Sequence, residues 1–411
     1  MAKVTMADIY RQEHIDDPYP LYRRVREADP VYWDDTMGDE GAWMVTGYAA
    51  AQTALMDPRL SAKRPHWGPD RLPGDPELDS AHRAIDQQIV VSDAPEHTRL
   101  RQHLTRPFLR RRVDAMREDV TKLTHALLDA AVDGESGEMD AMDRFSFALP
   151  AISLTGMLGI PAYDQRYLSW MLSLGLLIDD GPLSRSHHRK LLGGVAEYTD
   201  FFARQIADRR AAGPGGQKEV LVQTLADHYT GGGFANAEEL HGNLAFLLTA
   251  GQISTAHQIG NTLLHLLRHP EAYERLRADP AAVPAATAEL MRYDASIQLT
   301  KRRVREPFEL GGHELETGQE VFVWIGAAHR DPEEFADPDR LDLDRTGVKH
   351  IAFGHGVHYC LGGRLGQLVH DVAVQAFVER VPSPRLLTDK IERSVMPTFR
   401  GPYKLPVGFG R

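Results

Sequence analysis

Hydrophobic residues recur along this chain mainly at helical spacing. Strict alternation, which indicates strands, is confined to short pieces such as Trp43–Thr46 and Glu320–Trp324. The pattern therefore predicts a mainly α protein with small β-sheets. The segments with apolar residues three and four positions apart are Arg99–Leu104, Val113–Val132, Asp164–Leu177, Gly194–Arg210 and Ala237–Arg268.

The longest predicted helix, Ala237–Arg268, has well-marked ends. Asn236 is a residue type that caps helices, and Glu239 three positions later completes a capping-box pattern. Pro270 stops the helix because the residue before a proline disfavours the helical conformation. Turn-rich stretches at 64–75, 211–217 and 230–234 are typical of loops within one unit, so we expect a single domain over 1–411.

Composition narrows the function classes. The net charge of −11 argues against nucleic acid as a partner, since nucleic-acid binders usually have a basic surface. The sequence contains no apolar run that is long enough for a signal peptide or a membrane helix, so we expect a cytoplasmic protein with no membrane partner. Cys360 is the one cysteine, which excludes an intramolecular disulfide and any site built from several cysteines.

Cys360 lies in a glycine-rich segment, FGHGVHYCLG, that begins at Phe353 and precedes an amphipathic pattern over Leu361–Phe377. The thiol would therefore lie at a helix N-terminus, where the dipole and free amides favour the thiolate. Gly354 allows backbone angles that aim N–H groups at the sulfur. Gly362 leaves room for a flat cofactor. The alternative is an ordinary tight turn before a helix.

This segment resembles the haem-binding signature of cytochromes P450, F-G-x-G-x-H-x-C-x-G, at every fixed position. The resemblance extends from about Asp16 to the C-terminus. It implies a single, triangular, mostly helical domain with haem b between the long central helix and the cysteine-ligand helix. It also implies that Cys360 is the iron ligand, since a thiolate on haem iron favours O–O cleavage.

Further motifs are similar to those of the same family. The segment Asp93–Arg101 resembles a family helix start, and implies that His97 and Arg101 bind the haem propionates. Arg302 and His358 match two further propionate contacts, for which cations are suited.

A structural triad is implied as well. Glu289 and Arg292 form an E-x-x-R pair, and by resemblance Arg340 completes it. The segment His329–Pro332 is similar to the family's N-R-D-P, with histidine in place of asparagine.

The long helix departs from the family where proton delivery is expected. Most cytochromes P450 have A-G-x-(Asp/Glu)-Thr, but here Ile253 occupies the acid position and Ser254 the alcohol position. The candidate catalytic residues are Gly251, Ser254 and Thr255. Either Ser254 with waters, or Gln252, still organises proton delivery, or a substrate group supplies the missing donor, or the chemistry is rerouted to oxidative coupling or to peroxide use. Leu365–Val369, where the family often has L-A-R-x-E, is a second departure, expected to affect packing or partner contacts.

Substrate contacts are predicted by position alone. The helices around 167–178 and 191–202, with the loop 60–90, should cover a mid-sized, partly polar organic substrate, which a secondary metabolite would fit. The segment His187–Lys190 is interpreted as a solvated basic turn rather than a metal or anion site. The residues expected to contact substrate are Ala245, Leu248, Thr249, Ile297 and Thr398.

Electrons must come from outside, because the sequence has no flavin or iron–sulfur motif. We expect a basic patch that docks an acidic ferredoxin, which receives its electrons from a ferredoxin reductase. The alternative is a scatter of solvated arginines. The leading hypothesis is a monooxygenase, the second an oxidative-coupling enzyme, and the third a haem-binding protein without turnover. The expected patch consists of Arg106, Arg110, Arg111, Arg112 and Arg364.

Overall fold

Helices dominate the computed structural model, which describes residues 5–38, 40–63, 76–132, 137–160, 165–179, 184–212, 233–394 and 398–410. The mainly α class with small sheets is thus confirmed. Residues 211–212 of the turn predicted at 211–217 are helical, and the remaining predicted turn residues 64–75, 213–217 and 230–232 lie outside the described residues. The helices are α1 (Gln12–Asp16), α2 (Tyr19–Ala28), α3 (Tyr48–Met56), α4 (Pro76–Asp86), α5 (Glu96–Leu104), α6 (Arg110–Val132), α7 (Ala148–Leu158), α8 (Gln165–Asp179), α9 (Arg185–Ala212), α10 (Ala237–Arg268), α11 (Pro270–Ala278), α12 (Val283–Tyr293), α13 (Ile325–Ala328) and α14 (Gly363–Arg380).

The strands are short and form small sheets. One sheet has the order β1-β2-β8-β5-β3, a second has the order β4-β10-β9, and β6 pairs with β7. Only β2 and β8 pair in parallel among the described strands, with Ala42 opposite Glu320. The strands are β1 (Val31–Asp34), β2 (Ala42–Val45), β3 (Leu60–Ser61), β4 (Glu138–Asp140), β5 (Thr300–Val304), β6 (Phe308–Leu310), β7 (His313–Leu315), β8 (Glu320–Val323), β9 (Arg385–Leu386) and β10 (Pro406–Gly408).

The chain forms two compact units. The first comprises Met1–Ser61, Ala115–Leu149 and Ser254–Arg411, and holds the sheets, α12 and α14. One of its apolar clusters packs α3 on the five-stranded sheet, and another packs α2 on the same sheet. These clusters fix the frame that carries the Cys360 loop. The single-domain expectation stays a prediction.

The second unit comprises Ala62–Asp114 and Pro150–Ile253. Here α10 approaches α4 closely at Gly242, where a Cβ atom would lie 2.1 Å from the Ala84 carbonyl oxygen. Asn243 secures the approach, since its side chain accepts a 2.9 Å hydrogen bond from the Ile89 amide and donates a 3.0 Å bond to the Gln87 carbonyl. Within the described residues, no helix is long and apolar enough to cross a membrane.

Candidate functional site

The Cys360 loop is a tight turn that depends on glycine. The Cys360 amide donates a 2.8 Å hydrogen bond to the Phe353 carbonyl, which closes the loop. Gly356 has φ +69°, and a Cβ atom there would lie 2.7 Å from the Leu55 carbonyl oxygen. Gly354 has φ +71°. Other residues rarely adopt this backbone region, so the glycines hold the turn in shape.

The thiol of Cys360 is exposed at the start of a helix. α14 begins at Gly363, and Gly362 is its N-cap. The first amides of a helix have no partner within the helix and favour a negative charge. Burial, followed by the charge of Cys360, raises the pKa of the neighbouring Tyr359 hydroxyl. The arrangement therefore suits an accessible thiolate.

The donor set fits haem. In the part of the chain that the structure describes, no group of three or more His, Cys, Asp or Glu side chains could hold a metal ion. Haem brings its own ring of nitrogen donors and needs one axial ligand from this loop, which Cys360 can supply. Gly366 on α14 faces the loop, but a Cβ atom there would lie in ordinary contact at 3.7 Å from the Phe353 ring and 3.9 Å from Thr255 Oγ1, so this position does not require glycine.

The predicted propionate-binding residues are distributed over both units. In the second unit, His97 and Arg101 lie one turn apart on α5, and His97 is buried. In the first unit, Arg302 lies on β5, where its guanidinium donates to Thr300 Oγ1 (3.1 Å), and His358 ends a 3₁₀ turn beside Cys360. Their binding of propionates stays a prediction.

The middle of α10 retains solvent access along one stripe. Phe246, Ala250, Gly251, Ser254 and Thr255 are partly accessible, whereas the positions between them are buried. At about 100° per residue these positions spread over about half of the helix circumference, with Phe246, Ala250 and Ser254 in one row at four-residue spacing. The predicted catalytic residues belong to this stripe.

Ile253 lies beside the stripe, seven residues after Phe246, but is buried. It is 4% exposed and packs toward α8, where a Cβ atom on Gly175 would lie 3.4 Å from its Cδ1 atom. Gln252 beside it is 1% exposed, and neither atom of its amide has a hydrogen-bond partner among the described residues. Buried amide atoms are nearly always satisfied, so this side chain calls for a water molecule or a ligand group.

The predicted substrate contacts differ in accessibility. Ala245, Leu248 and Thr249 are buried, and the Thr249 hydroxyl donates back to the Ala245 carbonyl at 3.0 Å. Phe246 and Ala250, which were not predicted as substrate contacts, are partly accessible and continue the four-residue spacing that leads to Ser254. That spacing was the available signal.

Two other substrate-contact candidates meet in the first unit. The Gln298 amide donates to the Thr398 carbonyl at 2.9 Å, and Ile297 forms a bridge with Phe399. Ile297 and Thr398 are therefore neighbours, and both are partly accessible. Pro397 lies outside the described residues. That these residues contact substrate stays a prediction.

The triad forms with a different arginine. Glu289 and Arg292 are fully buried and share two hydrogen bonds of 2.7 Å. The third cation is Arg345, whose Nε lies 3.2 Å from Glu289 Oε2. The Arg340 side chain is 67% exposed and bonds Asp342 instead, so the prediction for Arg340 was wrong. Arg340 contributes only its carbonyl oxygen, which accepts a 3.3 Å hydrogen bond from Arg292.

His329 links this pair to the cysteine loop. The Arg292 guanidinium donates to the His329 carbonyl at 2.8 Å, and His329 Nε2 accepts a 2.9 Å hydrogen bond from the Ile351 amide. The Ile351 carbonyl in turn accepts from Gly354 at 2.9 Å. Burial above all holds the pKa of His329 well below its usual range, so its ring stays neutral and can accept.

The second departure from the family affects packing. Gln367 on α14 donates to Thr287 Oγ1 (3.0 Å) and to Asp371 Oδ1 (2.7 Å). Thr287 lies on α12, so Gln367 joins the cysteine helix to the helix of the buried pair. The expected packing role is confirmed.

The basic segments are largely exposed. His187, Arg189 and Lys190 are exposed, as a solvated segment predicts, but the segment is part of α9 and not a turn, and His188 is buried with its ring 5.9 Å from that of His82. Arg106, Arg110 and Arg111 are exposed, Arg112 is partly exposed, and the exposed Leu109 lies between them in sequence. Arg364 is exposed on α14 of the first unit.

Comparisons with known proteins agree with this site. The family model "Cytochrome P450" matches residues 36–381. The chain is 32% identical to cytochrome P450 monooxygenase PikC of Streptomyces venezuelae, over 97% of this chain and 93% of that protein. It is 34% identical to 6-deoxyerythronolide B hydroxylase of Saccharopolyspora erythraea, over 98% of each chain.

A solved structure agrees as well. The cytochrome P450 enzyme CxnD, described as acting in C–S bond formation in chuangxinmycin biosynthesis, has a TM-score of 0.86 and 28% identity, and the match covers 100% of this chain and 98% of that one. With its glycine-supported cysteine loop, its buried Glu–Arg pair and these matches over nearly its full length, the chain belongs to the cytochrome P450 family of haem-dependent oxidoreductases.

Proposed function

We propose that this chain is a haem–thiolate monooxygenase with Cys360 as the ligand of haem b, held at the propionates by His97, Arg101, Arg302 and His358. The observation that carries the proposal is the exposed thiol in a closed, glycine-dependent loop at the start of α14. Bound haem supplies the activation of O2. One oxygen atom enters the substrate, the other leaves as water, and an external donor provides two electrons while two protons are taken up.

Ser254 is the residue that we propose for proton delivery. Its hydroxyl lies on the accessible stripe of α10, whereas Ile253 in the acid position is buried and has no exchangeable proton. Gly251 beside it allows the side chain of Leu154 on α7 to approach α10, since a Cβ atom at Gly251 would lie 2.9 Å from that side chain. Gln252, two residues before Ser254, points to a different and buried face of α10, so we propose that Ser254 acts without it.

The substrate is proposed to be a mid-sized secondary metabolite, oxidised in the cytoplasm with electrons from a ferredoxin and its reductase. PikC and 6-deoxyerythronolide B hydroxylase are named as a monooxygenase and a hydroxylase, which supports the insertion of oxygen. The exposed arginines at the start of α6 support an acidic electron donor.

A second candidate function is oxidative coupling. Two observations favour it: the acid of the acid–alcohol pair is replaced by the buried Ile253, and the similar protein CxnD is described as forming a C–S bond. Coupling would remove two hydrogen atoms from the substrate, whereas monooxygenation would add one oxygen atom. The product mass separates these outcomes.

The absorption spectrum of the dithionite-reduced, CO-treated protein tests the assignment of Cys360. We expect the red-shifted Soret band of thiolate-ligated haem in the wild type, and its loss in Cys360→Ser, because a hydroxyl is a far weaker donor than a thiolate. A protein without haem, or a spectrum that the substitution leaves unchanged, would contradict the assignment.

A further inference from the structure

We infer that Arg99 and Glu239 form a positioning pair that orients the haem-binding face of α5; this inference rests on the proposed roles of His97 and Arg101. At about 100° per residue, His97 and Arg101 lie about 40° apart on one face of the helix. Arg99, midway between them in sequence, lies on the opposite face. A contact that holds Arg99 therefore fixes the direction in which the other two side chains point.

Arg99 is held by a bidentate ion pair. Its guanidinium donates to Glu239 at 2.5 and 2.8 Å, and to the Gly233 carbonyl at 2.9 Å. The Glu239 carboxylate is 4% exposed, while the Arg99 side chain is 31% exposed. Two parallel hydrogen bonds restrict the orientation of the guanidinium more than one contact would.

Glu239 is itself fixed in place at the start of α10. Its amide donates to Asn236 Oδ1 at 2.8 Å, which is the predicted helix cap. Its carboxylate also accepts a 2.6 Å hydrogen bond from the Ala235 amide. A carboxylate held by the backbone just before its own helix has little freedom to move, so it couples the position of α10 to that of α5.

A second contact lies on the same face of α5. The His103 ring, one turn beyond Arg99, lies 6.2 Å from the Phe234 ring. The back of α5 is thus fastened by two residues to the segment 233–239. That leaves the His97 and Arg101 face directed away from this fastening. Loosening it lets α5 rotate or shift, which weakens two haem contacts together.

The chain offers a matched control. Arg83 and Glu238 form another ion pair at the start of α10, with a distance of 3.2 Å and side chains that are 54% and 31% exposed. This pair joins α4 instead of α5. Like Arg99–Glu239, it is an arginine–glutamate pair, and its glutamate is the neighbouring residue of the same helix. Arg83 is not on α5, the helix that carries His97 and Arg101.

Transfer of haem from the holoenzyme to excess haem-free myoglobin measures the effect. We expect Arg99→Gln and Glu239→Gln each to speed haem loss about tenfold, as for other partners that orient a ligand-binding side chain. The double variant should lose haem no faster than either single variant, because both remove the same interaction. Arg99→Lys should recover only part of the difference, because an ammonium cannot form the two parallel hydrogen bonds, and Arg83→Gln and Glu238→Gln should stay within about twofold of the wild type.

Equal effects from the two pairs, additive effects of Arg99→Gln and Glu239→Gln, or unchanged haem loss would overturn the inference. His97→Gln and Arg101→Gln are measured alongside. If they speed haem loss and Arg99→Gln does not, the positioning role alone fails. If they also leave haem loss unchanged, the proposed propionate contacts fail together with it. Should Arg99→Gln not fold, Arg99→Lys and Glu239→Asp carry the same comparison, and haem loss at the wild-type rate in both would overturn the pair.

Discussion

Ile253 removes one proton donor from the site and cannot simply be replaced by an acid. Its side chain is buried toward α8, so an aspartate there would be an unpaired charge in an apolar environment. Ser254 and Thr255 both remain on the accessible stripe. The Thr255 hydroxyl lies beside Gly366 of the cysteine helix. Ser254 is therefore the residue on which oxygen insertion should depend.

Replacing Ser254 tests this dependence. If the enzyme inserts oxygen, we expect Ser254→Ala to lower product formed per electron pair consumed by about tenfold or more, because a lost proton donor slows the productive step. Ser254→Thr, which keeps the hydroxyl, is the matched control. The measurement needs a substrate, which is first identified by screening small molecules for those that shift the haem absorption spectrum on binding. An oxygenated product formed as efficiently by Ser254→Ala would contradict the role of the hydroxyl.

Arg340 and Arg345 show which residue assignments a sequence cannot make. The motif predicted the buried Glu289–Arg292 pair correctly, since helical spacing alone brings residues three apart together. The third arginine comes from an irregular segment without periodicity. There Asp337 has φ +46°, and Arg345 rather than Arg340 turns toward Glu289. That choice depends on backbone turns that no residue pattern encodes.

At the scale of elements, helices were predicted well where caps and stops are present. α10 spans Ala237–Arg268 as expected, because Asn236 caps it and Pro270 ends it. The helix predicted at Gly194–Arg210 begins earlier, at Arg185. The parallel pairing of β2 with β8 could not be predicted, since it joins residues more than two hundred positions apart. Local patterns define helices, but they do not define long-range pairing.

The segment that carries Arg340 and Arg345 gives a stability prediction. Arg345→Ala removes a cation from the buried Glu289 carboxylate and should lower the free energy of unfolding by about 2 kcal/mol. The Arg345 side chain is 13% exposed, whereas that of Arg340 is 67% exposed, so Arg340→Ala should change stability by less than about 0.5 kcal/mol. Urea unfolding of the two holoproteins measures both values. A larger loss for Arg340→Ala would restore the original triad assignment.

At the scale of the whole molecule, charge is unevenly distributed. The net charge is −11, yet Arg106, Arg110 and Arg111 are exposed together with Leu109, which is 52% exposed. An apolar side chain among cations is the composition expected of a docking surface for an acidic protein. The net charge alone would not have predicted such a partner.

Charge reversal tests the electron donor. We expect Arg110→Glu with Arg111→Glu to slow reduction by ferredoxin at low salt by about tenfold and to flatten its dependence on ionic strength, because electrostatic steering is lost. Arg189→Glu with Lys190→Glu makes the same change in net charge on exposed positions of α9 and serves as the control. Stopped-flow reduction measures both. Equal slowing by the two double variants would show a general charge effect and no docking patch.

The contact of Gly356 with Leu55 has a consequence for how this sequence can evolve. Any side chain at position 356 meets both a left-handed backbone and the carbonyl of a residue three hundred positions earlier in the chain. A substitution at Gly356 is therefore not tolerated unless α3 has already moved. Lineages that alter this loop must first pass through changes near Leu55, so the order of the mutations, and not only their identity, is constrained.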